Sequence, residues 1–551
     1  MRLVTSLQMR ECDRRTIAGE NLPAPTDGLF LMERAGLGIF TAIRGHCRHL
    51  SQRPVLIFCG RGNNGGDGLV VGRLLQQRNL WPSLFLLAEP HQLSPDAAVQ
   101  YERYVRAGGR VRIVPEEGAL ESLVASELRA SSRQRPILVD ALLGTGSRGA
   151  PRGVLGSCVE LINQLRDKRD AEVVAVDLPT GINADTGAVA GKAVVAQLTV
   201  TMAYVKAGFL RYPARTHLGR VQVVDIGIPH SVEEDVGLPI ALMTLEEATR
   251  LLPHRAPDVH KGGVGKILIV GGSPGLTGAP AMAAMAALRA GAGLVTVALP
   301  RGLNPALEAK LTEVMTLPCP QTAAGSLAST AAKTILARAG STDVWVLGPG
   351  LGREGAALEL VRALLGRLRG AMVLDADALF ALGVDKWWRP EGVPPAILTP
   401  HPGEMARLLG VDLSQMSDPP WDVASSYARQ RRCVLVLKGA PTVVASPAGD
   451  VWINPSGNAG LATGGSGDAL AGVIAALLGQ GLEPVEAARL GVFLHGLAAD
   501  CALPGAGLAG LLPTDLIASL PQAWGLVQAG TSPTGGEGAW IRENWYRIGG
   551  N

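Results

Sequence analysis

One local pattern recurs along this 551-residue chain: a short apolar run ends in a glycine or a carboxylate, and a helical stretch follows. Val55 to Cys59 runs into Gly60, Ile137 to Val139 into Asp140, and Val173 to Val176 into Asp177. Farther on, Lys266 to Val270 runs into Gly271, and Val344 to Leu347 into Gly348. Strands buried on both faces read as continuous apolar runs, and intervening helices imply crossover connections, so the pattern predicts α/β architecture built on parallel sheets. The first half predicts a doubly wound parallel sheet. The ligand crevice of such a sheet lies outside the C-terminal strand ends, which makes these glycines and carboxylates the candidate chemistry.

The chain is too long for one ordinary core, so two domains are expected. Hydrophobic residues make up 47% and charged residues 18%, with 70 glycines, which suits soluble α/β domains rather than disorder. A net charge of +3, with basic residues scattered, excludes a polyanion such as nucleic acid as the expected partner. Cys12, Cys47, Cys59, Cys158, Cys319, Cys433 and Cys501 are widely spaced without a CxxC pair, so neither a disulfide framework nor a zinc site is expected. The first sixteen residues carry charges every few positions and lack a signal-peptide core, and Ala279 to Leu299, interrupted by Arg289, reads as a buried helix and strand. A cytoplasmic enzyme with no membrane role is expected. Apolar helices in the second half point to a homo-oligomer.

A polar stretch from Gly227 to Val236 divides the chain. The expected organisation is a first domain over 1–228, a linker over 229–243, a second domain over 244–525 and a flexible tail over 526–551. The two halves open on different glycine patterns, so no internal duplication is read.

The densest chemical signal is Gly464, Gly465, Ser466, Gly467 and Asp468, followed by the apolar stretch from Ala469. These amides would sit at a helix N-terminus, where unpaired N–H groups and the helix dipole favour an anion such as phosphate, and Asp468 would take a proton beside it. A plain glycine-rich N-cap is the alternative. Lys438 to Thr442 and Pro400 to Glu404 each follow an apolar strand-like run and are expected to join this site. His401, between two prolines, would orient a substrate or simply pack.

In the first half, Gly60 to Gly68 takes the position of a dinucleotide-binding loop but departs from GxGxxG. Its Asn63 and Asn64 add carboxamide oxygens of the kind that hold K⁺ or Na⁺ beside an anionic ligand, and an Asn/Gly turn is the plainer alternative. Asp140, Asp177 and the Thr180 hydroxyl would converge on this loop as cation ligands and a proton-transfer group, although each Asp alone also suits an N-cap.

With these residues in order, the chain resembles the bacterial bifunctional NAD(P)H-hydrate repair family over roughly residues 10 to 520. The likeness is carried by Asn63 to Asp67, Val139 to Gly146, Val176 to Gly181, His401 to Glu404, Lys438 to Thr442 and Gly464 to Asp468. It implies a Rossmann-like epimerase domain followed by a ribokinase-like dehydratase domain that uses ADP and Mg²⁺ on the hydrated dinucleotides NADHX and NADPHX. In the epimerase it implies substrate contacts from Asn63, Asn64, Gly65, Gly66, Asp67, Gly144, Thr145, Gly146, Ser147, Arg148, Gly149, Ala150 and Asp177, with Asp177 catalytic and K⁺ held by Asn64, Asp140 and Thr180. In the dehydratase it implies substrate contacts from Ala279, Gly350, His401 and the catalytic Asp468, and nucleotide contacts from Lys438, Gly439, Ala440, Pro441, Thr442 and Gly467.

Two positions depart from the family pattern. Thr180 stands where relatives commonly carry Ser and keeps the hydroxyl. Leu276 stands where an aromatic residue is common, which removes a stacking surface. Two rival readings share parts of the pattern: a ribokinase-type small-molecule kinase, and a first half that binds a dinucleotide without turnover. The kinase reading leaves Asn63 to Asp67, His401 to Glu404 and Lys438 to Thr442 without a role.

Overall fold

The computed structural model describes residues 1–20, 26–114, 116–129, 135–385, 396–416 and 419–531. They form two compact units, Met1–Leu238 and the residues from Pro239 onward. In the first, seven strands lie in the order Val111–Ile113, Ser83–Leu86, Val55–Cys59, Ile137–Ala141, Glu172–Val176, Leu198–Met202, Arg220–Val224, every neighbouring pair parallel. The order reverses direction beside Val55–Cys59, and there the Gly60 amide donates to the Ala141 carbonyl across the gap, 3.0 Å.

Alternation decides what each face of this sheet buries. Val55, Ile57 and Cys59 pack with Ile39 and Phe40 of helix Gly28–His46 and with Leu69 and Val71 of helix Asn63–Gln76. Leu56 and Phe58 point the other way, toward Val124 and Leu128 of helix Leu120–Arg129 and Cys158 and Ile162 of helix Val154–Arg169. Both faces are therefore apolar, which is why the strand reads as an unbroken hydrophobic run. A separate two-stranded parallel pair joins Leu3–Val4 to Val205–Lys206.

The second unit is built on ten strands, in the order Ile240–Leu242, Val451–Ile453, Val443–Ala445, Val434–Leu437, Ala396–Leu398, Ala371–Leu374, Val344–Leu347, Lys266–Val270, Leu294–Pro300, Met315–Cys319. Val443–Ala445 runs antiparallel to both neighbours and the remaining pairs are parallel. Helices Gly278–Arg289 and Ser466–Gly479 lie so close that a Cβ on Gly472 would strike the Ala283 carbonyl; the small residues of both helices make the approach possible. Helix Pro484–Gly510 is, among the described residues, the one long and apolar enough to cross a membrane, yet half of that span is buried and its Leu490, Phe493, Leu494 and Leu497 belong to the core of this unit.

Several boundaries differ from the sequence reading. The stretch 229–243, expected as a linker, holds helix His230–Val236 and strand Ile240–Leu242, because Val232 and Leu238 are buried in the first core and Ile240 to Leu242 supply an edge strand to the second sheet. Helix Pro513–Gln528 runs past residue 525, its Val527 fully buried, and residues 532–551 of the expected tail lie outside the described residues. The segment read as a loop from Gly60 to Gly68 is helical from Asn63. Six cysteines are buried and Cys501 is half-buried, all of them unbonded.

Candidate functional sites

At the first sheet's strand ends, the Asp140 carboxylate is fully buried and accepts from the Thr180 amide at 2.8 Å, the Thr180 hydroxyl at 2.7 Å and the Leu142 amide at 3.3 Å. The Leu143 amide donates to the Thr180 hydroxyl oxygen, 3.2 Å. Burial outweighs these hydrogen bonds and pushes the Asp140 carboxyl up to about 6. Asn64, also buried, opens the neighbouring helix, and a Cβ on Gly144 would lie 3.6 Å from its Oδ1. The Asn64 Nδ2 has no hydrogen-bond partner. Asp140 and Thr180 are thus bonded to each other, and Asn64 faces the Gly144 turn that follows the same strand; their carboxylate, hydroxyl and carboxamide oxygens are of the hard type an alkali cation takes, while the orphaned Asn64 Nδ2 is a donor that calls for an acceptor. Gly65 is obligatory beside them, because any Cβ there would strike the Gly60 carbonyl.

Asp177 stands at the next strand end, after Glu172–Val176, with a left-handed backbone, φ 65°, strained for a residue with a Cβ. Its Oδ1 accepts from the Lys206 ammonium at 2.6 Å and the Thr201 hydroxyl at 3.2 Å. The Lys206 Nζ also donates to the Thr201 oxygen at 2.8 Å and the Met202 carbonyl at 3.1 Å, so all three of its protons are placed although the side chain is 1% exposed. Asp67, from the helix that carries Asn64, is held well above the usual carboxylate range, chiefly by desolvation and then by the Asp177 and Asp13 carboxylates. The Asn63 Oδ1 accepts from the Ser94 hydroxyl at 2.6 Å. Gly144 to Ala150 form an irregular loop beyond the Asp140 strand, with Gly146, Arg148, Gly149 and Ala150 exposed.

In the second unit, helix Ser466–Gly479 starts from Gly465 at φ 100° with no side-chain cap, so the first-turn amides are open as the glycine spacing predicts. A Cβ on Gly465 would meet the Met282 side chain, which sets this turn one helical turn from Ala279. Ala279 and Gly350 are neighbours: Gly350 has φ 60°, and a Cβ on it would lie 3.2 Å from the Ala279 Cβ and 3.0 Å from that of Leu276. Leu276 is itself 48% exposed.

The Lys438 ammonium sits opposite the helix start, 3.0 Å from where a Gly467 Cβ would be. It forms an ion pair with Asp375 at 2.9 Å and lies 3.9 Å from Glu404. Asp375, also buried, accepts from the Thr399 hydroxyl at 2.7 Å. Asp468 is pushed up to about 7, first by desolvation and next by the Asp375 carboxylate, with Lys438 opposing and Asp377 and Glu404 adding to the rise. An aspartate poised there is a competent base at neutral pH.

His401 caps a helix and keeps its ring at the surface. Its Nδ1 accepts from the Gly403 and Glu404 amides at 3.0 and 3.3 Å, capping helix Pro402–Leu409, while the ring stays half exposed. Thr442 closes the Gly439 turn, its hydroxyl donating to the Gly439 carbonyl at 3.1 Å, and the Lys438 amide donates to the Pro400 carbonyl at 2.9 Å. Beneath the helix start, the buried His495 Nε2 lies 2.9 Å from the Ser466 carbonyl, and burial pushes its pKa down to about 4, so it remains a neutral donor.

Sequence reasoning passed over Lys206, Asp13, Asp375 and Asp377 as site residues, and named Glu404 only as the end of the Pro400 to Glu404 segment. Asp375 ends an apolar strand in the same way as Asp140 and Asp177, so the rule applied to the first half would have found it. Lys206 is a lone cation in an apolar stretch, a residue type almost never fully buried without a partner. Among the described residues no group of three or more His, Cys, Asp or Glu side chains forms a metal cage.

Comparison with known proteins adds the following. The family model described as YjeF-related protein N-terminus matches residues 28–208, and the model described as NAD(P)H-hydrate dehydratase matches residues 267–522. A bifunctional NAD(P)H-hydrate repair enzyme of Moorella thermoacetica is 44% identical over 522 residues, covering 95% of this chain and 96% of the relative. The enzyme of that name from Escherichia coli K12 is 36% identical, covering 91% of each chain. A crystallised ADP/ATP-dependent NAD(P)H-hydrate dehydratase from Bacillus subtilis is 31% identical with a TM-score of 0.46, covering 53% of this chain and all of that one.

Proposed function

The chain belongs to the family of bifunctional NAD(P)H-hydrate repair enzymes, and from that premise we propose how its two sites divide the work. The activity is metabolite repair: one unit interconverts the R and S epimers of hydrated NADH and NADPH, and the other dehydrates the S epimer at the expense of a nucleotide.

The observation that carries the residue assignment is Asp468, held near neutral pKa at an uncapped helix start while the nearby cation pairs with Asp375 instead. The substrate's C6 hydroxyl is a poor leaving group at neutral pH. Asp468 accepts its proton as the oxygen attacks the terminal phosphoryl group of ADP, and the Gly467 and Asp468 amides with Lys438 stabilise the charge on the transferred oxygens. The ring nitrogen then expels the phosphate from C6, and loss of the C5 proton restores the ring double bond, so that the products are NAD(P)H, AMP, phosphate and the released proton. Ala279, Gly350 and His401 hold the hydrated ring, and Lys438 to Thr442 hold the nucleotide. Mg²⁺ would be carried by the nucleotide's phosphates and neutralise their charge.

In the first unit, Asp177 is the acid–base residue, and Asn63 to Asp67 with Gly144 to Ala150 hold the dinucleotide. Asn64, Asp140 and Thr180 are suited to K⁺, which would supply positive charge beside the dinucleotide's phosphates. The enzyme is proposed to be cytoplasmic and homo-oligomeric, with no nucleic-acid or membrane partner.

The test is recovery of the dihydronicotinamide absorbance from a mixed-epimer NADH hydrate with ADP and Mg²⁺. Wild type is expected to recover it fully in two phases, the second reporting the R epimer. Asp177→Ala is expected to keep the first phase and let the second fall to spontaneous interconversion. Failure of wild type with both ADP and ATP would overturn the assignment in favour of a small-molecule kinase.

A further inference from the structure

The residues assigned to the hydrated ring leave the dinucleotide's own phosphates without a partner in the second unit. Ala279 and Gly350 carry no charge, and Lys438 is held by Asp375 opposite the helix start at Ser466. The loop that presents Gly350 goes on to supply a cation. The Ser273 hydroxyl donates to the Gly350 carbonyl at 2.9 Å, and the Gly352 amide donates to Asp377 Oδ2 at 2.9 Å, so the loop is tied at both points. Asp377 is two residues beyond the Asp375 that holds Lys438, and it opens helix Asp377–Asp385. Arg353 follows Gly352, three residues beyond Gly350, which is at most about 11 Å of extended chain.

The Arg353 Nε donates to Asp377 Oδ1 at 2.9 Å, and its guanidinium carbon lies 4.9 Å from the centre of the Phe380 ring. An arginine that served only to balance a carboxylate would offer it two parallel N–H groups. Here the buried Asp377 gives one oxygen to Arg353 and the other to the Gly352 amide. The Arg353 Nη1 and Nη2 have no acceptor among the described residues, and the side chain is 55% exposed. Arg407, from the helix that His401 caps, brings a second guanidinium to within 4.8 Å of the Phe380 ring centre, its stem packed against Gly383. Two guanidiniums and one carboxylate therefore meet at Phe380, an excess of one positive charge beside the substrate loop.

We propose that Arg353 is a substrate-binding residue of the second unit, its free Nη1 and Nη2 gripping the pyrophosphate of the hydrated dinucleotide while Gly350 holds the ring. In the substrate one ribose separates the ring from the pyrophosphate, and in the protein two residues separate Gly350 from Arg353, so a single loop serves both groups. Two parallel N–H donors match two oxygens of a phosphate, and a guanidinium fixed in advance by Asp377 and Phe380 loses little freedom on binding. Arg407 adds positive charge at the same ring. The pyrophosphate is common to NADHX and NADPHX, so Arg353 serves both. This inference rests on the dehydratase reading of the second unit.

The experiment measures steady-state dehydration by the full chain of the S epimers of NADH hydrate and NADPH hydrate, separately, with ADP and Mg²⁺, for wild type, Arg353→Met and Arg353→Lys. Arg353→Met is expected to raise KM for both hydrates by about ten- to one-hundredfold, with kcat changed by less than about threefold and KM for ADP unmoved. Arg353→Lys, which keeps the charge but not the paired donors, should recover only part of the loss. Added salt should raise KM for the hydrates less steeply in Arg353→Met than in wild type. Unchanged KM for both hydrates in Arg353→Met overturns the proposal and leaves Arg353 as a surface partner of Asp377. A rise confined to NADPH hydrate overturns it in favour of the 2′-phosphate, and a rise in KM for ADP instead overturns it in favour of the nucleotide. Wild type that dehydrates neither hydrate with ADP or ATP would remove the dehydratase reading itself, and this inference with it.

Discussion

The two sites place an aspartate at the C-terminal edge of a parallel sheet and a lysine beside it, yet they pair them oppositely. In the first unit the buried Lys206 sits on Asp177, the proposed acid–base residue. In the second, Lys438 sits on Asp375 and leaves Asp468 without a cation of its own. The consequence is electrostatic. A cation paired elsewhere lowers the Asp468 carboxyl less than burial and three neighbouring carboxylates raise it, so that it titrates near neutrality. One arrangement locks a carboxylate in place on a buried ammonium; the other poises a base to remove a proton from a hydroxyl.

The strongest way to break this contrast is Asp468→Asn. Dehydration with ADP and Mg²⁺ should fall by about a thousandfold or more while the two epimers still interconvert, as read by separating them chromatographically. Loss of both activities together would mean that the residues do not divide as assigned.

Lys438→Met sharpens it, because it removes the one cation that opposes the rise of the Asp468 carboxyl. The dehydration rate should drop by about one-hundredfold, and the limb of its pH–rate profile should move to higher pH than in wild type, because Lys438 alone lowers the Asp468 carboxyl. A limb that moves downward would contradict the pairing.

Stability should move against activity at Asp468. Burial pushes the folded carboxyl up to about 7 from an ordinary 3.8, so between those values the folded state binds more protons and loses stability as pH rises. Asp468→Asn is therefore expected to stabilise the protein by about 1–3 kcal/mol at pH 8, a gain that shrinks toward pH 4, measured by denaturant unfolding at several pH values. A variant less stable than wild type at pH 8 would mean that Asp468 is well partnered.

The smallest effect is expected at Thr180. Thr180→Ser keeps the hydroxyl bonded to Asp140 and should change epimerisation by less than about threefold, whereas Thr180→Val should cost about tenfold and blunt the response of the second phase to added K⁺. Equal behaviour of the two variants would remove Thr180 from the proposed cation site.

How far the sequence reached differs between the two units in an instructive way. Asp140 and Thr180 were legible because each ends or follows a strand, and strand ends line the crevice of any doubly wound sheet. The open helix start at Gly465 was legible because consecutive glycines before an apolar helix leave its amides uncapped. The loop read from Gly60 to Gly68 is instead helical from Asn63 on, because Gly65 and Gly66 fit where the helix start presses against the Gly60 carbonyl and Met32, a packing reason that spacing does not record. The linker reading of 229–243 took a polar stretch as a connector, but its few apolar residues each find a core.

The sequence by itself determined the layered α/β architecture, the two units and the strand-end residues, because periodicity, glycine placement and strand-end carboxylates are local consequences of backbone geometry. Only the tertiary structure decided which lysine neutralises which aspartate. Lys206 meets Asp177 across 29 residues and Lys438 meets Asp375 across 63, and the second pairing is what leaves Asp468 unneutralised. Charge pairing acts through space over a few ångströms, and its strength depends on burial, so the order of residues along the chain fixes the groups available while the fold fixes their protonation.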